Sequence, residues 1–124
     1  MPAYSIYLTP AATDALVLRY KDEGNRSAAV SRMIERYAEL AQRAMPDLTE
    51  AEWNLCRDAL NGWFIDTAES IKFVPWEVAD GIKLNGLDEK WKVDGPALVA
   101  KLEAMDFSAL CALLDAVERW WVEQ

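Results

Sequence analysis

Tyr4, Ile6 and Leu8 alternate with Ser5, Tyr7 and Thr9, and this period-2 stretch is followed at once by two stretches of helical spacing. Alternation of apolar and polar residues is the signature of a half-buried strand. Thr9 is placed to cap a helix whose first position is Pro10, where a missing N–H costs nothing. Leu16, Val17 and Tyr20 give that helix an apolar side, and Gly24 suits the left-handed position that ends it. Asn25 is the expected cap of the next helix, with Ala29, Val30, Met33, Ile34, Tyr37, Leu40 and Ala41 as its apolar stripe. Arg32, Glu35, Arg36 and Glu39 then face water. A single strand with an apolar face needs a partner for its backbone and its side chains. No second strand lies nearby in sequence, so the simplest partner is the same strand of a second chain. A homodimer follows, with Ile6, Leu8, Val30, Met33, Ile34 and Tyr37 as its shared core.

The order Tyr4-Ser5-Ile6-Tyr7-Leu8, then Leu8-Thr9-Pro10, then Gly24-Asn25-Arg26-Ser27 leading into Ala29 to Tyr37 resembles the ribbon-helix-helix family of DNA-binding repressors. The resemblance covers roughly the first third of the chain. It implies one strand and two helices per chain, with the strands of two chains paired into a ribbon that enters the major groove of duplex DNA. By position it implies that Ala3, Ser5 and Tyr7 face base edges. It also implies that Asn25, Arg26 and Ser27 hold a phosphate at the start of the second helix. Arg, Lys, Asn and Gln make the strong bidentate base contacts, and the ribbon positions here carry none of them. A weak reader of sequence is expected.

Residues 1–45 hold six basic and five acidic residues, a balance of +1, whereas residues 46–124 hold seven basic and sixteen acidic ones, a balance of −9. The expected division is therefore a ribbon-helix-helix module at 1–45 and an acidic, tryptophan-rich helical domain at 46–124. The overall class is mainly α. DNA binding is dominated by phosphate neutralisation, so the total charge of −8 predicts modest affinity and a preference for low salt. A chain of 124 residues, 52% hydrophobic, is long enough to bury a real core. No apolar run reaches membrane-spanning length and no basic-then-apolar leader opens the chain, so a soluble cytoplasmic protein with no membrane role is expected. Cys56 and Cys111 lie far apart without a motif and read as small hydrophobes rather than a disulfide.

The acidic part opens with Thr49 and Glu52, spaced as a capping box. The helix it starts shows Trp53, Cys56, Ala59 and Leu60 on one side and is expected to run to about Asn61-Gly62. From Trp63 to Leu87 the pattern breaks up around Pro75, Gly81 and Gly86, predicting short helical turns and loop with Phe73-Val74 extended. Asp94-Gly95-Pro96 and Asp106 are two further helix starts, the last helix carrying Leu110, Leu113, Leu114, Val117 and Trp121. All six tryptophans fall in this part. Trp53, Trp63 and Trp121 are expected in the core. Trp120 and Trp121 are about 100° apart on one helix, so both cannot occupy the centre of one face. Trp76, Trp91 and Trp120 are accordingly the candidate partner-binding residues.

Catalysis finds no foothold. The chain has no histidine, the commonest general base and metal ligand at neutral pH. It has no glycine-rich phosphate loop, nucleophile elbow or calcium-loop spacing, so no enzyme, metal or cofactor is expected. Two functional readings remain. The first, implied by the resemblance, is a dimeric transcriptional repressor of plasmid, prophage or antitoxin type that binds DNA and carries a partner-binding C-terminal domain. The second is an acidic inhibitor encoded by a phage or mobile element. It looks like anti-CRISPR proteins in size and charge, uses its N-terminal part only to dimerise, and blocks a nucleic-acid-binding protein.

Overall fold

A computed structural model describes residues 8–19, 26–61 and 68–124. Seven α-helices occur among them: α1 (Pro10–Arg19), α2 (Arg26–Ala44), α3 (Glu50–Ala59), α4 (Val74–Asn85), α5 (Leu87–Trp91), α6 (Gly95–Glu103) and α7 (Phe107–Val122). A short 3₁₀ turn, Ala68–Phe73, precedes α4. The described residues contain no strand, which corrects both the one-strand fold class and the ribbon-helix-helix resemblance. Of the expected strand, Tyr4 to Tyr7 lie outside the described residues, while Leu8 and Thr9 lead directly into α1. Alternation over five or six residues does not itself form a strand, because strand stability comes from cross-strand neighbours rather than from the backbone. The helix that follows is as expected: the Ala12 N–H donates to Thr9 Oγ1 at 3.1 Å.

The chain divides by its internal contacts into two units, residues 1–38 and 39–124, the division falling inside α2. In the first unit only Ala29 is fully buried among the described residues. The second unit holds a true core. Leu55, Cys56 and Leu60 from α3 and its end meet Val74 and Val78 of α4, Leu98 and Leu102 of α6, and Leu113 and Val117 of α7, all fully buried. Each such leucine contributes roughly 1.5–3 kcal/mol relative to exposure. α4 lies against α3 and α6, and α3 also packs on α5 and α7.

Local chemistry explains these elements. Thr49 and Glu52 form the expected capping box, with Glu52 N–H donating to Thr49 Oγ1 at 3.1 Å and Thr49 N–H to Glu52 Oε1 at 2.9 Å. α3 ends at Ala59, short of the expected Asn61-Gly62. Asp94 and Asp106 each accept from the backbone N–H three residues on, Ala97 at 3.1 Å and Ala109 at 2.9 Å. Within the stretch expected as short helical turns and loop, Ala68–Phe73 is a 3₁₀ turn, but Val74–Asn85 is one continuous helix, α4, so Phe73-Val74 is not extended. Pro75 sits in its first turn, where no N–H is needed. Gly81 is a packing residue within α4: a Cβ there would meet Leu87 Cδ1 at 2.9 Å and Ala59 Cβ at 3.1 Å. Gly86, at φ 62°, ends the helix in the left-handed conformation that glycine adopts without strain.

Candidate functional sites

Among the described residues, each unit carries an open groove with exposed apolar side chains. In the first, α1 and α2 enclose an open groove of about 440 Å³. Ala12, Ala15 and Leu16 come from α1, and Val30, Met33, Ile34 and Tyr37 from α2, with Leu8 at the end of the segment before α1. The groove exists because the α2 stripe has helical spacing while α1 presents small residues, so the two helices cover only part of each other. Ile34 remains 56% exposed, and Leu8, Tyr37 and Leu40 are also exposed. Five of the six residues expected as a dimer core, Leu8, Val30, Met33, Ile34 and Tyr37, thus line one groove; Ile6 lies outside the described residues.

The residues given to DNA by the resemblance are less informative. Ala3, Ser5, Tyr7 and Asn25 lie outside the described residues, Arg26 opens α2, and Ser27 is exposed in its first turn. Arg32 and Arg36 are exposed on α2, and Arg43 pairs with Glu39 at 2.8 Å.

The three candidate partner-binding tryptophans occupy different environments. Trp76, on α4, is 63% exposed. Trp91 is half-buried against the core, and its indole N–H donates to Asp58 Oδ2 at 3.0 Å. Trp120 is half-buried, edge-to-face with Trp121 at 4.9 Å between ring centres. The Trp121 indole N–H donates to the Arg57 carbonyl at 2.8 Å, which holds the C-terminal end of α7 to α3. The Arg57 guanidinium stands 5.1 Å from the Trp120 ring and 5.9 Å from the Trp53 ring, a cation–π contact on both. Arg57 donates from Nη1 to Asn54 Oδ1 at 3.1 Å, while its buried Nε has no hydrogen-bond partner. Trp63 lies outside the described residues.

Two carboxylates are committed to structure. Burial opposes ionisation of Glu52, but hydrogen bonds from Thr49 and from Lys101 Nζ, at 2.9 Å to each oxygen, outweigh it and hold its pKa below the usual range. Asp58 is also held low, chiefly by the hydrogen bond from Lys90 at 2.6 Å, against partial burial and with help from Trp91. Burial pushes the Cys56 thiol up to about 12 and raises that of Cys111, so neither is an activated nucleophile. Both are free thiols. Arg57, Asp58, Lys90 and Lys101 were not singled out as interacting residues by the sequence, nor was the pairing of Glu52 with Lys101. Partners such as Glu52 and Lys101 are 49 residues apart, and no local spacing links them. The Glu52 role as a cap was legible, since its partner is three residues away.

The second groove, of mixed polar and apolar lining, lies between the first half of α4 and the corner joining α6 to α7. It is a groove of about 490 Å³ with Trp76 and Phe107 on its walls and Leu102, Met105 and Leu110 beneath. Lys72 and Glu103 stand at its rim. No group of three or more histidine, cysteine or acidic side chains placed to hold a metal occurs among the described residues, and none of their helices is long and apolar enough to cross a membrane. Comparison with known proteins gives no match to a family model, a curated protein or a solved structure.

Proposed function

We propose that this chain is a non-catalytic, cytoplasmic binding protein that self-associates through the α1–α2 groove and presents its acidic helical unit to a protein partner. The observation that carries the reading is the uncovered apolar groove on a unit in which, among the described residues, only Ala29 is fully buried. A helix pair of this size buries too little surface to be stable by itself, and chains below about 40 residues need a metal, disulfides or a partner. A second copy of this chain supplies a fitting cover. The groove has large side chains (Met33, Ile34, Tyr37) beside small ones (Ala12, Ala15), so the same patch turned about a two-fold axis can interdigitate with itself. Among the described residues, no charged residue lines it.

Pairing doubles the acidic units presented to a target, which raises avidity without any new contact. The −9 balance of residues 46–124 speeds encounter with a basic partner. The ionisable groups with shifted pKa values serve packing and capping, which supports binding over catalysis. The direct test is a dilution series followed by methyl NMR. Signals of Leu16, Val30, Met33 and Ile34 are expected to move on dilution through the micromolar range, while those of Leu98 and Leu113 stay fixed. Invariant groove methyls would overturn the reading.

A duplex-binding role is favoured by one observation, the exposed Arg32 and Arg36 on α2, which point away from the groove by helical position. In that reading the dimer displays both arginine pairs and acts as a DNA-binding regulator. Arg32→Ala with Arg36→Ala is then expected to weaken low-salt mobility shifts equally for all sequences. Unchanged shifts, or none with the unaltered chain, would remove that role.

A further inference from the structure

The strongest unassigned surface is the groove between α4 and the α6–α7 corner, and its exposure is anomalous for a well-packed unit. Trp76 is 63% exposed and Phe107 53%, although the same unit fully buries leucines from α3 and its end, α6 and α7. Neither aromatic is needed for local structure. Pro75, not Trp76, suits the first turn of α4, and Asp106, not Phe107, caps α7. Among the described residues neither ring has a stacking partner that would account for its position; the ring contact of Lys72 Nζ, at 5.4 Å, falls on Phe73. Exposed rings over buried apolar side chains are the composition of an interface anchor.

The charge around the groove selects the occupant. Glu103 is among its lining residues, Asp106 is exposed beside Phe107, and Glu77 follows Trp76 on α4. Among the described residues, Lys72 is the one cation lining the groove. The surrounding unit is strongly acidic. An anionic ligand would meet repulsion here, whereas a cationic one would be attracted over a distance of about a Debye length and then anchored by apolar contact.

We propose that this groove binds a cationic, amphipathic segment of another protein, one apolar side chain entering between Trp76 and Phe107 and a lysine or arginine lying against Glu103. The proposal rests on the reading of residues 39–124 as a binding unit and is independent of self-association. Aromatic walls serve both parts of such a ligand, since an apolar stem packs on the ring faces and a cation is attracted to them.

The test uses calorimetric titration of the full chain with two synthetic 15-residue helical peptides of the same apolar pattern, one built of leucine and lysine and one of leucine and glutamate. The lysine peptide is expected to bind with one site per chain, and the glutamate peptide not to bind. Trp76→Ala and Phe107→Ala are each expected to weaken the lysine peptide at least tenfold with the melting temperature nearly unchanged, because both rings are exposed. Glu103→Lys should weaken it, and Lys72→Glu should tighten it. Equal binding of the two peptides, or affinity unaffected by Trp76→Ala, would overturn the proposal. Loss of binding in Ile34→Glu with retention in Trp76→Ala would also overturn it, by placing the peptide on α1–α2. Failure of self-association is read separately, from the mass of the unliganded chain.

Discussion

Glu52 joins two tasks in one side chain. Its Oε1 accepts from the Thr49 backbone at the start of α3 and, with Oε2, from Lys101 near the end of α6. The side chain is only 10% exposed, so the carboxylate is stabilised by these donors rather than by water. Its folded pKa lies below that of the unfolded chain. In the window between the two values the unfolded chain binds more protons, so stability rises with pH there. The contribution is complete above the ordinary carboxyl range of about 4 and is lost as pH falls through the lowered folded value. Asp58, held low by Lys90, acts with the same sign. Lys101→Met removes one of the groups that lower Glu52, so its folded pKa rises. Acid unfolding followed by circular dichroism is then expected to begin at higher pH than in the unaltered chain. At neutral pH the loss is about 0.5–1 kcal/mol, since Lys101 is half-exposed and screened by solvent. An unchanged acid limb would show that Lys101 does not support the carboxylate.

At the scale of elements, α4 is where sequence and structure part most clearly. Its glycine suggested an interruption, yet Gly81 is the residue that lets α4 approach α3 and α5. Gly81→Val is expected to destabilise the second unit by about 1–3 kcal/mol, because the added side chain meets Ala59 and Leu87 with no room to retreat. Gly86→Ala adds strain at a left-handed position but meets nothing within 4 Å. A smaller loss in melting temperature is therefore expected there than for Gly81→Val, and the reverse order would contradict the packing role.

Helix starts at Thr9, Thr49, Asp94 and Asp106 were legible because a cap is written within four residues. What α4 required was tertiary: whether a glycine breaks a helix or admits a neighbour depends on what lies across from it. Of the Tyr4–Leu8 alternation, Tyr4 to Tyr7 lie outside the described residues, and Leu8 leads into α1. A period-2 run states which residues share a face, but only a neighbouring strand makes it a strand. The apolar stripe of α2 was legible as a stripe. Its position on an open groove with Ala12, Ala15 and Leu16 depended on how α1 folds back. Of the tryptophans, the sequence showed that Trp120 and Trp121 cannot share one core position, but not that Arg57 would lie against Trp120.

For the whole molecule, two units of different character follow from composition. Residues 39–124 bury a core drawn from α3, α4, α6 and α7. Among the described residues, the α1–α2 pair leaves Leu8, Ile34 and Tyr37 exposed on its groove. The account's central claim is that a second copy provides their cover. The most direct test is the mass in solution, by sedimentation equilibrium across the micromolar range, of the unaltered chain and of Ile34→Glu. A glutamate buried in the paired groove would lie without a partner, which is costly, whereas on the exposed single-chain groove it is tolerated. The account predicts the mass of two 14.0-kDa chains for the unaltered protein and of one for Ile34→Glu, with the helical signal and melting of the second unit retained. A folded, unaltered chain sedimenting as a single 14.0-kDa species at every concentration would contradict it.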